Sequence, residues 1–104
     1  MLVAIFALAI AGDAPSSVRV CSDMKVDVEG VMFEPTNGGA NVVVDATLKP
    51  GACADVPQIA PGDYSLHFID VAPGGQSAMC VRRVTVKAGD TVRINPDDGA
   101  SCIL

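Results

Sequence analysis

Past its first few residues the chain is built from short segments in which apolar and polar side chains alternate. The clearest runs from Tyr64 to Val71: Tyr64, Leu66 and Phe68 fall on one side, Ser65, His67 and Ile69 on the other. A period of two is what a half-buried strand requires, and Pro61-Gly62-Asp63 ahead of it is turn composition. Other segments repeat the pattern around this one. Val18–Ser22 puts Val18 and Val20 on one face and Arg19 and Cys21 on the other. In Lys25–Glu34, Val26 and Val28 alternate with Asp27 and Glu29, and beyond Gly30 the apolar phase shifts to Val31 and Phe33. A one-residue slip at a glycine predicts a β-bulge or a break into two strands. Ala40–Lys49 reads as a clean strand with Val42, Val44, Ala46 and Leu48 together. Val56–Ala60 is short and contains Pro57, which cannot donate to a ladder and so belongs at an edge. In Ala78–Lys87, Cys80, Val84 and Val86 share one phase with Arg82, which predicts a face covered only part of the way. Ala88-Gly89-Asp90-Thr91 predicts a type II′ hairpin turn that returns the chain into Thr91–Asn95.

About seven short strands at intervals of about 8–12 residues, with turn residues between them and no helical period, predict an all-β fold: a small antiparallel β-sandwich. The chain of 104 residues is expected to form one domain, over 18–104, after a flexible stretch at 12–17. Loops on rigid sheets are the usual carriers of binding, which directs attention to Glu34–Asn41 and Ala72–Ser77.

Leu2–Ala11 is an uninterrupted apolar run. It is shorter than the roughly 20 residues a membrane span needs and has the length of a signal-peptide core. Ala9-Ile10-Ala11 supplies a small-x-small cleavage pattern, although no Lys or Arg precedes the run. The expectation is a signal peptide over 1–11, a secreted or periplasmic product, and no membrane insertion after cleavage. The remaining chain, about 93 residues, buries only about 60–65% of the surface exposed on unfolding, so it needs covalent help. Four cysteines supply it: Cys21, Cys53, Cys80 and Cys102. An even number at wide spacing, with no C-x-x-C pair, reads as two disulfides rather than a zinc site. Three connectivities are possible. Cys21–Cys53 with Cys80–Cys102 is favoured, because each bond then joins neighbouring segments.

The formal net charge of −5 and the single basic pair, Arg82-Arg83, argue against nucleic acid and anionic lipid as partners. Trp is absent and aromatic residues are few, which removes the usual stacking platforms. An extracellular or envelope protein is the partner class that remains.

Candidate chemistry is sparse. His67 is the one histidine and the one side chain whose ordinary titration lies near neutral pH. It is expected on the solvent face as a possible ligand-facing residue, with Asp70 on the opposite face and unable to orient it. Gly75-Gln76-Ser77-Ala78-Met79 lacks the second glycine of a nucleophile elbow, and Cys80 has the core phase of its strand. Asn95, Asp97 and Asp98 do not follow the spacing of a calcium loop and read as a turn. Met24, Met32 and Met79 lie in different segments and read as core filling. No catalytic residue, metal or cofactor is assigned. The leading expectation is a non-catalytic binding or structural module. The alternative is a small envelope metal-binding protein or enzyme centred on His67.

Two resemblances accompany this reading. Pro61-Gly62-Asp63-Tyr64-Ser65-Leu66 resembles the PG-x-Y-x-L turn and strand of accessory β-sandwich modules of the prealbumin-like or carboxypeptidase-regulatory type. That resemblance implies an immunoglobulin-like or prealbumin-like sandwich used for binding or spacing. Val84-Thr85-Val86-Lys87-Ala88-Gly89-Asp90-Thr91-Val92 is similar to the V-x-AGD-x-V strand pair of cupredoxins. A blue-copper site needs two histidines and a cysteine. The single His67 lies before the motif, so the likeness extends only to the strand pair.

Overall fold

The computed structural model describes residues 16–72 and 74–103. The expected signal peptide over 1–11, and the stretch up to residue 15, lie outside the described residues. Eight strands form: β1 Ser16–Ser22, β2 Asp27–Pro35, β3 Val42–Val43, β4 Cys53–Ile59, β5 Gly62–Val71, β6 Ser77–Val86, β7 Thr91–Ile94 and β8 Ser101–Ile103. They assemble into a three-stranded sheet, β4-β1-β7, and a five-stranded sheet, β3-β2-β5-β6-β8. No helix occurs among the described residues.

The inward faces of the two sheets supply one core. Val18 and Val20 of β1, Val56 and Ile59 of β4, and Val92 and Ile94 of β7 face Val28, Val31 and Phe33 of β2, Tyr64, Leu66 and Phe68 of β5, and Val84 and Val86 of β6. The alternation read along β5 is therefore real: its odd phase, with His67, points away from this core. β5 lies at the centre of the larger sheet and pairs with β6 without interruption, from Gly62↔Val86 to Val71↔Ser77. Phe33 and Tyr64 meet edge to face, with ring centroids 5.9 Å apart. The Tyr64 hydroxyl donates to the Ala60 carbonyl, four residues back, where the chain crosses from β4 to β5. This is the arrangement of a tyrosine corner, which pins such a crossing in many sandwiches.

The phase slip at Gly30 is a bulge. The register of β2 against β5 shifts between Glu29↔Ile69 and Met32↔His67. Gly30 has φ +59°, and Val28 and Val31, three apart, are both fully buried. Without the extra residue one of them would face water.

Two expectations are corrected. Ala40–Lys49 is not one strand: only Val42–Val43 joins the ladder, and Leu48 forms an isolated bridge to Val28. The bulge in β2 interrupts the edge this segment would have to follow. The chain bends away between these contacts, with the Ala46 amide donating to the Val44 carbonyl at 3.0 Å, while Val44 and Leu48 still reach the core. The expected hairpin at Ala88–Thr91 does not form either. β7 leaves β6 and adds parallel to β1, from Arg19↔Thr91 to Ser22↔Ile94. The Gly89 amide donates to the Ser17 carbonyl and the Arg19 amide to the Asp90 carbonyl. The first strand thus captures the turn and draws the chain into the other sheet, so the sandwich is not wholly antiparallel. The eight strands agree with the expected small sandwich of about seven, and β1 begins at Ser16. β8 takes the free edge of β6, but with three residues it shows no readable alternation.

Both disulfides join residues directly opposite each other on antiparallel strands: Cys21–Cys53 between β1 and β4, Cys80–Cys102 between β6 and β8. This is the favoured pairing of the three. Such bonds belong to an oxidising compartment. Pro57 sits on the edge strand β4, as expected, where the β1–β4 register shifts. Arg82, in the core phase of β6, is satisfied at the sandwich rim: Nη1 donates to the Arg93 carbonyl at 2.9 Å and to Asp98 Oδ2 at 3.0 Å.

Two outcomes follow for stability. The loops closed by the disulfides separate their cysteines by 32 and 22 residues. Replacing either pair by alanine is expected to cost about 3–4 kcal/mol on the chain-entropy account, read as a lower midpoint in denaturant. Burial raises the Tyr64 phenol above its ordinary value, so the folded state keeps its proton longer than the unfolded chain. That contribution is complete below the unfolded value, about pH 10, and is lost as pH rises above it. Unfolding titrations between about pH 8 and pH 11 should show a steeper loss for the wild type than for Tyr64→Phe.

Candidate functional site

The outward face of the five-stranded sheet is where this fold departs from an ordinary half-buried sheet, which is polar on its wet side. Strand register sets its side chains in rungs. Val43, Met32, His67, Val81 and Ser101 stand in one rung across β3, β2, β5, β6 and β8. In the next, the Glu29–Gly30 bulge is followed by Ile69, Met79 and Ile103. The rung on the other side carries Glu34, Ser65 and Arg83.

Among the described residues the large apolar side chains that are exposed are Val43 (68%), Met79 (64%), Val81 (36%) and Ile103 (73%). All four lie on this one face. Scattered single apolar residues are normal on protein surfaces, whereas a contiguous patch marks an interaction site. Met32, Ile69, Met79, Val81 and Ile103 line a groove of about 400 Å³ on it, with His67 and Ser101 as its polar members. Gly30 also lines the groove, and its missing side chain helps to keep it open: a Cβ there would stand 3.1 Å from Ile69 Cδ1.

His67 faces solvent as expected and is half-buried. Asp70 has the opposite phase, also as expected. The partner of His67 comes instead from β2: Nε2 lies 2.9 Å from Glu34 Oε1. A carboxylate only accepts, so Nε2 carries the proton in this bond, and in the neutral ring Nδ1 is then left as an acceptor. The pair is open to water, which fits orientation of the ring better than strong attraction. Among the described residues no three His, Cys, Asp or Glu side chains converge as metal ligands.

The other singled-out residues fall elsewhere. Cys80 and Cys102 form the bond behind the groove, and Cys21 and Cys53 bond on the opposite sheet. Asp98 acts inward: its oxygens accept from Arg82 and from the amides of Asn95 and Ala100, which makes it the organiser of the turn before β8. The loops Glu34–Asn41 and Ala72–Ser77 sit at opposite ends of the five-stranded sheet, the first beside the start of β5 and the second after its end. They do not make one surface. Of the methionines, Met24 packs against the core, while Met32 and Met79 belong to the outer face, not to the core filling expected for all three. The signal for that face was apolar residues in both phases of β5 and β6: Ile69, Met79 and Val81 beside Phe68, Cys80 and Val84.

No family model, curated protein or solved structure matches the chain.

Gly30 joins fold and groove. Gly30→Ala should destabilise the protein by about 1–2 kcal/mol, because φ +59° disfavours a Cβ and Ile69 must move. Thermal unfolding of the variant against the wild type measures it, and an unchanged midpoint would mean that the bulge relaxes freely.

Proposed function

We propose that this protein is a small non-catalytic binding module of the cell envelope or extracellular space, and that it binds through the outer face of its five-stranded sheet. The observation that carries the reading is the gathering of Val43, Met79, Val81 and Ile103 on that single face. Two disulfides on a chain of this size support an oxidising destination, and the apolar run Leu2–Ala11 supports export. The sheet supplies rigidity: the outer side chains are fixed by the pairing of β5 with β2 and β6, so little ordering cost attends binding. His67, oriented by Glu34, and Ser101 offer hydrogen bonds in an otherwise apolar groove. That combination of apolar surface with a few polar groups characterises binding sites in general.

An apolar fluorescent probe such as anilinonaphthalene sulfonate tests the reading. The native oxidised protein, when monomeric, should bind it with its near-ultraviolet circular dichroism intact. Val81→Asp combined with Ile103→Asp should abolish binding without unfolding the protein, since both side chains point to water. A native monomer that leaves the probe dark, or a double variant that binds it as well as the wild type, removes the outer face from consideration.

A further inference from the structure

We propose that the occupant of this face is a second copy of the same chain, packed sheet against sheet about a twofold axis parallel to β5. The inference rests on the reading that the outer face binds, and it names the partner.

The argument is one of complementarity. In a twofold contact each patch must match itself: residue i of one copy meets residue j of the other, and j meets i. A rotation about an axis along β5 keeps every rung at its own level and exchanges the two sides of the sheet. β2 of one copy then lies over β6 of the other. In the rung of Glu34, Ser65 and Arg83, each Glu34 comes over the second copy's arginine, so opposite charges meet twice. Arg83 is exposed and forms no ion pair among the described residues. Glu34 uses Oε1 on His67, and its other oxygen is free to accept from a guanidinium.

The apolar rungs match in the same operation. Met32 comes over Val81, and Ile69 over its own copy near the axis. Met79, which projects into water, comes over the Glu29–Gly30 bulge, where Gly30 has no side chain. Facing sheets pack about 10 Å apart, a gap filled by side chains of this size. No other orientation about an in-plane axis brings Glu34 and Arg83 together, because an axis across the strands returns each strand to its own column.

Sedimentation velocity of the oxidised full chain at about 100 µM tests the proposal. The wild type should sediment as a dimer. Arg83→Glu and Glu34→Arg should each weaken association about tenfold or more, and the charge-swapped double variant should recover most of it. A monomeric wild type overturns the proposal. So does a dimer indifferent to both single changes, or one that the swap fails to restore. The two readings fail separately. A monomer that still lights the apolar probe, and loses it in the Val81→Asp, Ile103→Asp variant, removes the second copy while the binding face stands. A monomer that leaves the probe dark removes both.

Discussion

The structure depends on the unbroken pairing of β5 with β6. Ten consecutive residues of each strand are matched, and because successive side chains point to opposite sides, that ladder settles two surfaces at once. Tyr64, Leu66, Phe68, Cys80, Val84 and Val86 are committed to the core. Ser65, His67, Ile69, Met79, Val81 and Arg83 are committed to the other side with no further freedom. A slip of one residue would exchange the two sets and leave the core without Leu66 and Phe68. The tyrosine corner at one end and the Cys80–Cys102 bond along the far edge of β6 hold the same register from outside the ladder.

How far the chain could be read follows from which information is local. The bulge was legible because its cause sits within one segment: Val28 and Val31 demand the same side, and Gly30 between them permits the turn in phase. β5 was legible for the same reason, and the two cysteine pairs were the favoured choice because neighbouring segments hold them. Ala40–Lys49 was misread because its alternation is genuine while the obstacle lies in another strand. The turn at Gly89 was misread because a glycine of φ +79° serves a crossover as well as a hairpin. What decides between them is the Ser17 carbonyl, far away in sequence.

The outer face was the hardest to foresee. Met32, Ile69, Met79, Val81 and Ile103 come from four strands, and each taken alone is an unremarkable apolar residue. Register assembles them into a surface. His67 could be placed facing outward, but not beside Glu34, which lies 33 positions earlier. The side chain that orients it is invisible to any local reading.

β1 is the feature whose consequence reaches furthest. It is the middle strand of the smaller sheet, and neither of its partners is a sequence neighbour: one is β4 and the other is β7. The smaller sheet therefore cannot begin as a hairpin. It must wait until the chain has been made almost to its last strand, closing a loop that spans most of the molecule. Topologies dominated by such distant pairings fold in milliseconds to seconds rather than microseconds. Until β4 is made β1 exposes both of its edges, and until β7 is made it still exposes one, so the emerging polypeptide is open to wrong strand partners through most of that interval.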